Sequence, residues 1–475
     1  MKSNNGLSHV GKMVPRNATA ISILLVVVAV VNSATLGYDS SMMNGLSILP
    51  QYSDYFALNT ATTGLNNGAV WMGSVLGATM IQPVSDILGR KKGILIAGCI
   101  CVIGTIIQSA AHNIATFVVG RIFVGIGSEL ASGPAPTLIA EILPAKQRGP
   151  VLGLYWTCFY VGSLLSSAIN LGAVNISTTW AWRLPSLLQA VPSLLSIAVL
   201  PLVPESPRWL IMKGRNDEAR EIIAIMHGMN DVAAKETAEV FDEINSVLVK
   251  EREEQPKNPW KEFFTTKANR HRLSILVSFG VMIEMLGNFV ISCWSFAVAV
   301  TGSLLVDVVG RRFLALTSIG GMVAMLYIFG GLSKTYGTSD NTSAVYGTVA
   351  VVFLFQGFYA FGITPLTSMY PPEILPYNMR NAGISIFRCI DSCFGLMASF
   401  AMSYAMDNLG WKFYFINGSW NVVFLAIVYF TWVETRRMPL EEIAIKFGDL
   451  DVQDLHRDLV SEVVTDQIIP SEKAA

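Results

Sequence analysis

The chain has 475 residues, of which 52% are hydrophobic and 14% charged, with mean hydropathy +0.49, whereas soluble globular chains carry about 25% charged residues. It is expected to be an all-α polytopic membrane protein. A net charge of -1 offers no cationic surface for nucleic acid, which phosphate binding would require.

In chain order, residues 1–17 read as a polar, moderately basic cytosolic tail. The apolar run that follows lacks a small-residue cleavage site and is expected to stay as a helix. Crossing a bilayer takes about 20 apolar residues, and runs near 18–38, 64–84, 93–111, 114–140, 151–172 and 184–203 give six spans within 18–203. A charged stretch at 204–272 comes next, with Glu218 to Glu253 patterned as amphipathic helices closed by Pro256 and Pro259. We expect a cytosolic helical linker there, not a second domain. Within 273–433 the runs 313–333, 345–370, 380–405 and 411–433 are clear, and an unusual apolar stretch at 273–306 precedes them. Residues 434–475 form a polar tail without evident chemistry. The cysteines (Cys99, Cys101, Cys158, Cys293, Cys389 and Cys393) lie inside apolar runs without paired or zinc-like spacing, so they read as small buried hydrophobes and no disulfide is expected.

Lys and Arg are retained in cytosolic loops. With both termini inside, Arg90, Lys91, Lys92, Lys146, Arg148, Arg311, Arg312, Arg380, Arg436 and Arg437 all fall on that side, and only Arg183, Lys334 and Lys412 are left outside. Two glycosylation tripeptides, at Asn175 and Asn341, also fall outside.

Two phrases occur twice. Asp86-Ile-Leu-Gly89-Arg90-Lys91 in the first half matches Asp307-Val-Val-Gly310-Arg311-Arg312 in the second, and Glu141 with Arg148 matches Glu373 with Arg380, seven positions apart each time. The chain therefore reads as a duplication. A glutamate at a helix end near the membrane needs partners. The set Asp86, Arg90, Glu141, Arg148, Asp307, Arg311, Glu373 and Arg380 is expected either to act as a cytosolic gate or to anchor topology alone.

Gly89-Arg90-Lys91, Arg121-x-x-x-Gly125, Pro204-Glu-Ser-Pro-Arg208-Trp-Leu and Val433-Glu-Thr-Arg occur in this order, and together they resemble the sugar porter family of the major facilitator superfamily. Gly37-Tyr-Asp39-Ser-Ser-Met-Met and Tyr370-Pro-Pro-Glu-Ile-Leu-Pro-Tyr-Asn-Met-Arg380 resemble its fungal lactose and disaccharide permeases. The likeness runs from about residue 20 to 445. It implies two pseudo-symmetric six-helix bundles, a midplane sugar site and alternating access. It also implies a monomer in the plasma membrane that handles sugar and protons, with no cofactor or metal.

An ionised group at bilayer depth is costly unless paired or hydrated. The resemblance makes Asp39 a proton carrier and Arg121 its modulator; a static buried ion pair is the alternative. Position by position, it implies Ser163, Tyr359, Ser368 and Asp391 as sugar contacts. Asp391 either accepts sugar hydroxyls or pairs with Arg388 at i,i+3 spacing.

One stretch departs from the pattern. At Ile283-Glu284-Met285-Leu286-Gly287-Asn288-Phe289, where the resemblance implies further sugar contacts at Glu284 and Asn288, Glu284 stands in place of the family's glutamine, Asn288 matches, and a following tyrosine pair is absent. Ile21 and Asp86 are 65 positions apart, but their repeat counterparts Leu273 and Asp307 are 34 apart. The intervals Asp86 to Glu141 (55) and Asp307 to Glu373 (66) show no such loss. Two crossings at 1.5 Å per residue need about 40 residues plus a loop. A deletion of about thirty residues near 292–297 is therefore expected, leaving the seventh and eighth spans shortened or fused and transport poor or absent. The remaining alternatives are an uncoupled sugar carrier and a sugar receptor without flux. No zinc-binding or nucleophile motif supports an enzyme.

Overall fold

A computed structural model describes residues 9–47, 49–58, 60–227, 230–253, 263–264, 266–285, 292–336, 342–375 and 377–436. Among these, regular structure is helical throughout. Twelve long helices follow one another: α1 (Ala18–Leu46), α2 (Thr60–Leu88), α3 (Arg90–Ser109), α4 (Ile114–Ile142), α5 (Gln147–Ala173), α6 (Trp180–Leu202), α7 (Lys267–Met285), α8 (Ser292–Val309), α9 (Arg311–Tyr336), α10 (Tyr346–Ile374), α11 (Tyr377–Leu409) and α12 (Lys412–Thr431). Among the described residues, α1, α3 to α6, α9, α10 and α12 are long and apolar enough to cross a membrane.

The sequence supplies local reasons for these elements. Asn17 starts α1 by accepting from the Thr19 amide at 2.9 Å, and Asn113 starts α4 through the Thr116 amide at 2.8 Å, the side-chain capping that leaves fewer orphan donors. Between membrane helices close approach replaces the hydrophobic drive, so small residues sit at crossings. Where α1 meets α5, a Cβ on Gly37 would lie 1.9 Å from the Phe159 carbonyl oxygen, and one on Gly162 would lie 1.9 Å from that of Ala34.

Packing repeats between the halves. Helix α1 lies on α5 as α7 lies on α11, and α2 lies along α4 as α8 lies along α10. The halves meet where α2 packs on α11 and α8 on α5. The repeat is unequal in length: α1 and α2 have 29 residues each, against 19 in α7 and 18 in α8. At 1.5 Å per residue that is about 44 Å against about 28 Å. Both short helices keep the end that carries the charged turns. Arg272 near the start of α7 donates to the Ile374 carbonyl at 2.8 Å, and Asp307 near the end of α8 pairs with Arg311 at 2.8 Å.

The segment before α1 departs from the expected tail. His9 and Val10 donate backbone N–H groups to the Glu221 carboxylate at 2.9 and 2.8 Å, and His9 Nδ1 lies 2.9 Å from Oε1. Val10 and Val14 are buried. A strap with this many bonds to one buried carboxylate is docked structure. Among its described residues the linker has the helices Pro207–Met212, Asn216–Met226 and Lys235–Glu253.

Candidate functional site

Two matching charged turns occupy one face. At Gly89 the backbone takes φ +97° and ψ 165°, and at Gly310 φ is +101°, a region left to glycine because a Cβ clashes there. The space a Cβ would need is also taken, by Glu205 Oε2 at 2.6 Å and by Glu434 Oε2 at 2.7 Å. Each glutamate instead accepts from the first amides of the following helix. Glu205 takes Arg90 N at 3.1 Å and Lys91 N at 3.2 Å, while Glu434 takes Arg311 N at 2.9 Å and Arg312 N at 3.0 Å, where the helix dipole favours an anion. Burial raises the Glu205 carboxyl's pKa, opposed by the amides of Ser206 and Lys91.

The arginines that follow pair inside their own half. Arg90 meets Glu141 at 3.0 Å, and Arg311 meets Glu373 at 2.9 Å and Asp307 at 2.8 Å. Ser206 and Thr435 complete the two glutamates. The pairs Arg90–Glu141 and Arg311–Glu373 therefore staple helices within a half, and the bonds that cross the halves on this face include neutral and single-charge contacts. Asn381 donates to Asp86, the Gln82 amide donates to Ser385 at 3.1 Å, and Ser368 donates to the Leu152 carbonyl at 2.6 Å. Arg148 and Arg380 are largely enclosed nearby, and the backbone of Gly149 faces Asp307.

Above this closed face lies a cavity of about 90 Å³ between the halves, room for several waters. Trp71 of α2, Trp156 and Tyr160 of α5 and Tyr359 of α10 give it aromatic walls, and Asp39, Glu129, Arg388 and Asp391 give it charge. Tyr160 OH and Thr364 Oγ1 meet across the halves at 3.2 Å, and Gln356 donates to the same hydroxyl at 3.3 Å. An aromatic, mostly apolar cavity with a few convergent polar groups suits a small polyhydroxylated ligand.

Of the expected ligand contacts, Tyr359 and Asp391 line this cavity. Ser163 does not, because it receives a hydrogen bond from Ser41 of α1 at 2.7 Å. Ser368 does not either. It follows the π turn Tyr359–Ile363, whose extra residue per turn rotates what comes after it, and it bridges to Leu152. Glu284 lies in the last turn of α7, but its side chain, like all of Asn288, is outside the described residues.

Asp39 and Arg121 are both buried, and each charge acts on the other. Among the described residues, however, no ion pair within 4.0 Å joins them. Gln189 of α6 donates to Asp39 Oδ1 and accepts in turn from Gln108 at 3.3 Å. Asp39 Oδ2 and two Arg121 nitrogens have no hydrogen-bond partner. The static direct pair is replaced by an amide-buffered one.

Sequence reasoning missed Gln189, Trp71, Trp156 and Glu129. Glu129 left a signal as a lone acid inside the run 114–140. Its partner is Arg388 of α11, 3.5 Å away, and Arg388 also holds Asp391 at 3.1 Å. Both readings of Asp391 thus meet in one residue, paired to Arg388 and facing the cavity.

The family profile described as "Sugar (and other) transporter" matches residues 25–283 and 274–447. The MFS-type transporter criB of Aspergillus cristatus is 25% identical, with 92% of this chain and 95% of that protein covered. The high-affinity glucose transporter of Kluyveromyces lactis is 28% identical over 88% of this chain and 83% of its own length. Among solved structures, the proton:xylose symporter XylE bound to 6-bromo-6-deoxy-D-glucose superposes with TM-score 0.77 at 20% identity, covering 90% of this chain and 100% of that one.

Proposed function

Because the chain belongs to the sugar transporter family of the major facilitator superfamily, we propose that it carries a hexose or disaccharide through the cavity between its halves by alternating access, with a proton carried at Asp39. The observation that carries this reading is the cavity itself, where Trp71, Trp156 and Tyr359 share walls with a buried carboxylate. Rings offer sugar faces a stacking surface, and the polar groups orient hydroxyls. We read the charged-turn face as cytosolic and the membrane as the plasma membrane, since Lys and Arg concentrate in that face's loops.

The cycle follows from what holds that face shut. Ser368 to Leu152 and the Gln82 amide to Ser385 are each worth about 1 kcal/mol net, and Asn381 to the Asp86 carboxylate about 1.5–3 kcal/mol. A set this weak can break and reform while the ion pairs inside each half stay intact. Asp39 has one oxygen held by Gln189 and the other open. A proton on the open oxygen removes the buried charge and gives the cavity a donor. Return without the proton carries that charge at membrane depth with Arg121 beyond direct ion-pair reach, which is costly.

The short α7 and α8 support reading this chain as having lost about thirty residues, at the ends away from the charged turns. None of the described residues of α7 or α8 lines the cavity, so the second half's share of the site is incomplete and flux through the chain as it stands is slow. The test is uptake of labelled sugar into proteoliposomes under an inward proton gradient, beside equilibrium binding. Accumulation lost in D39N, with sugar exchange retained, is expected. Binding without any flux, even after the segment is restored, would make the chain a receptor.

A further inference from the structure

We propose that Glu129 and Asp391, bridged by Arg388, form a second proton-binding site that spans the two halves, separate from Asp39. Glu129 is on α4 of the first half, whereas Arg388 and Asp391 are on α11 of the second. Arg388 Nε lies 3.5 Å from Glu129 Oε1 and its NH1 3.1 Å from Asp391 Oδ2, with the three side chains 4%, 4% and 6% exposed. The Trp156 ring backs the guanidinium at 4.3 Å, a cation–π contact that fixes its plane.

The charges do not balance. Two carboxylates face one guanidinium, and among the described residues no other cation pairs with either acid. The groups packed around them are neutral donors or weak acids. Ser132 of α4 donates to Glu129 at 2.8 Å, Tyr155 of α5 lies within electrostatic range of Glu129 and Arg388, and Cys389 of α11 lies near Glu129. Asp39 and Arg121 act electrostatically on each other rather than on this triad. An uncompensated charge in a membrane interior is expensive, so the triad is stable with one added proton. Its seat is visible: Asp391 Oδ1 is buried, has no hydrogen-bond partner and belongs to a side chain lining the cavity.

The same geometry gives the proton a cycle. When the halves part, Arg388 keeps Asp391, which shares its helix and its shorter contact, and Glu129 is left alone in the other half. The proton then sits on Glu129. When the halves close, it is shared again and Asp391 can present an O–H to the ligand. The site holds one proton in both states, and opening relocates it from the shared pair to Glu129. This coupling rests on the transport reading, but binding of the proton does not.

Infrared titration of the full chain in lipid tests it, because a protonated carboxyl has its own carbonyl band. We expect one such band lost in D39N and a second that survives D39N. The second is lost in E129Q and equally in D391N, since either change leaves Arg388 with a single carboxylate, and it is kept in E129D. The amide band of each sample reports whether the variant is folded. A second band unmoved by folded E129Q and D391N, or one separate band lost by each, overturns the shared site. Loss of the Asp39 band alone from this pattern would count against the coupling reading and leave the second site standing.

Discussion

Gly89 and Gly310 do the same task in the two halves, and at Gly89 φ +97° with ψ 165° lies in a region essentially restricted to glycine, costing about 1–3 kcal/mol for other residues. A Cβ there also meets Glu205 Oε2 at 2.6 Å, displacing the carboxylate that caps α3. G89A and G310A are each expected to lower Tm by several degrees and to reduce the amount of folded protein; unchanged melting would show that the glutamate caps are dispensable. The strap at His9 is pH-dependent. Its hydrogen bond to Glu221, ahead of the opposing burial, raises the His9 pKa from 6.5. A raised folded-state pKa means the strap's contribution is complete below about pH 6.5 and fades as pH rises through the folded value. Limited proteolysis near residue 9 should be slower at pH 6 than at pH 8.5, with the difference removed in H9A. Equal cleavage at both pH values would contradict this.

At the scale of elements, much was legible. The spans follow from apolar length, and the doubled Asp-x-x-Gly-Arg phrase marks equivalent turns after α2 and α8, so unequal intervals point to α7 and α8 before any coordinates do. Helix rotation was not legible. Ser163 and Ser368 sit in the expected helices α5 and α10, but a close α1 to α5 crossing and the π turn at Tyr359–Ile363 decide which way they face, and neither leaves a reliable trace in spacing. Trans-bundle partners such as Glu129 and Arg388 are likewise invisible, because no local period joins residues on different halves. Inserting about thirty residues that extend α7 and α8 to full crossings should raise sugar uptake at least tenfold over the chain as it stands. Equal rates would show that short helices suffice.

For the whole molecule, the ion pairs of the charged turns lie within each half, and the buried Glu129–Arg388 bridge crosses between the halves. Ion pairs and glutamate caps hold each charged turn, while neutral hydrogen bonds of about 1 kcal/mol and the Asn381 to Asp86 bond of about 1.5–3 kcal/mol cross the face beneath the cavity. The proposed alternating access has the bundles rock about a site at their interface. In the proposed cycle protons enter through the buried acids of the cavity walls, whose charge is costly at membrane depth. The most direct measurement is a simultaneous record of sugar uptake and external pH in cells expressing the chain with its seventh and eighth helices extended. The account predicts alkalinisation of the medium on adding sugar, in proportion to uptake and abolished by D39N; sugar uptake at full rate with no proton movement would contradict it.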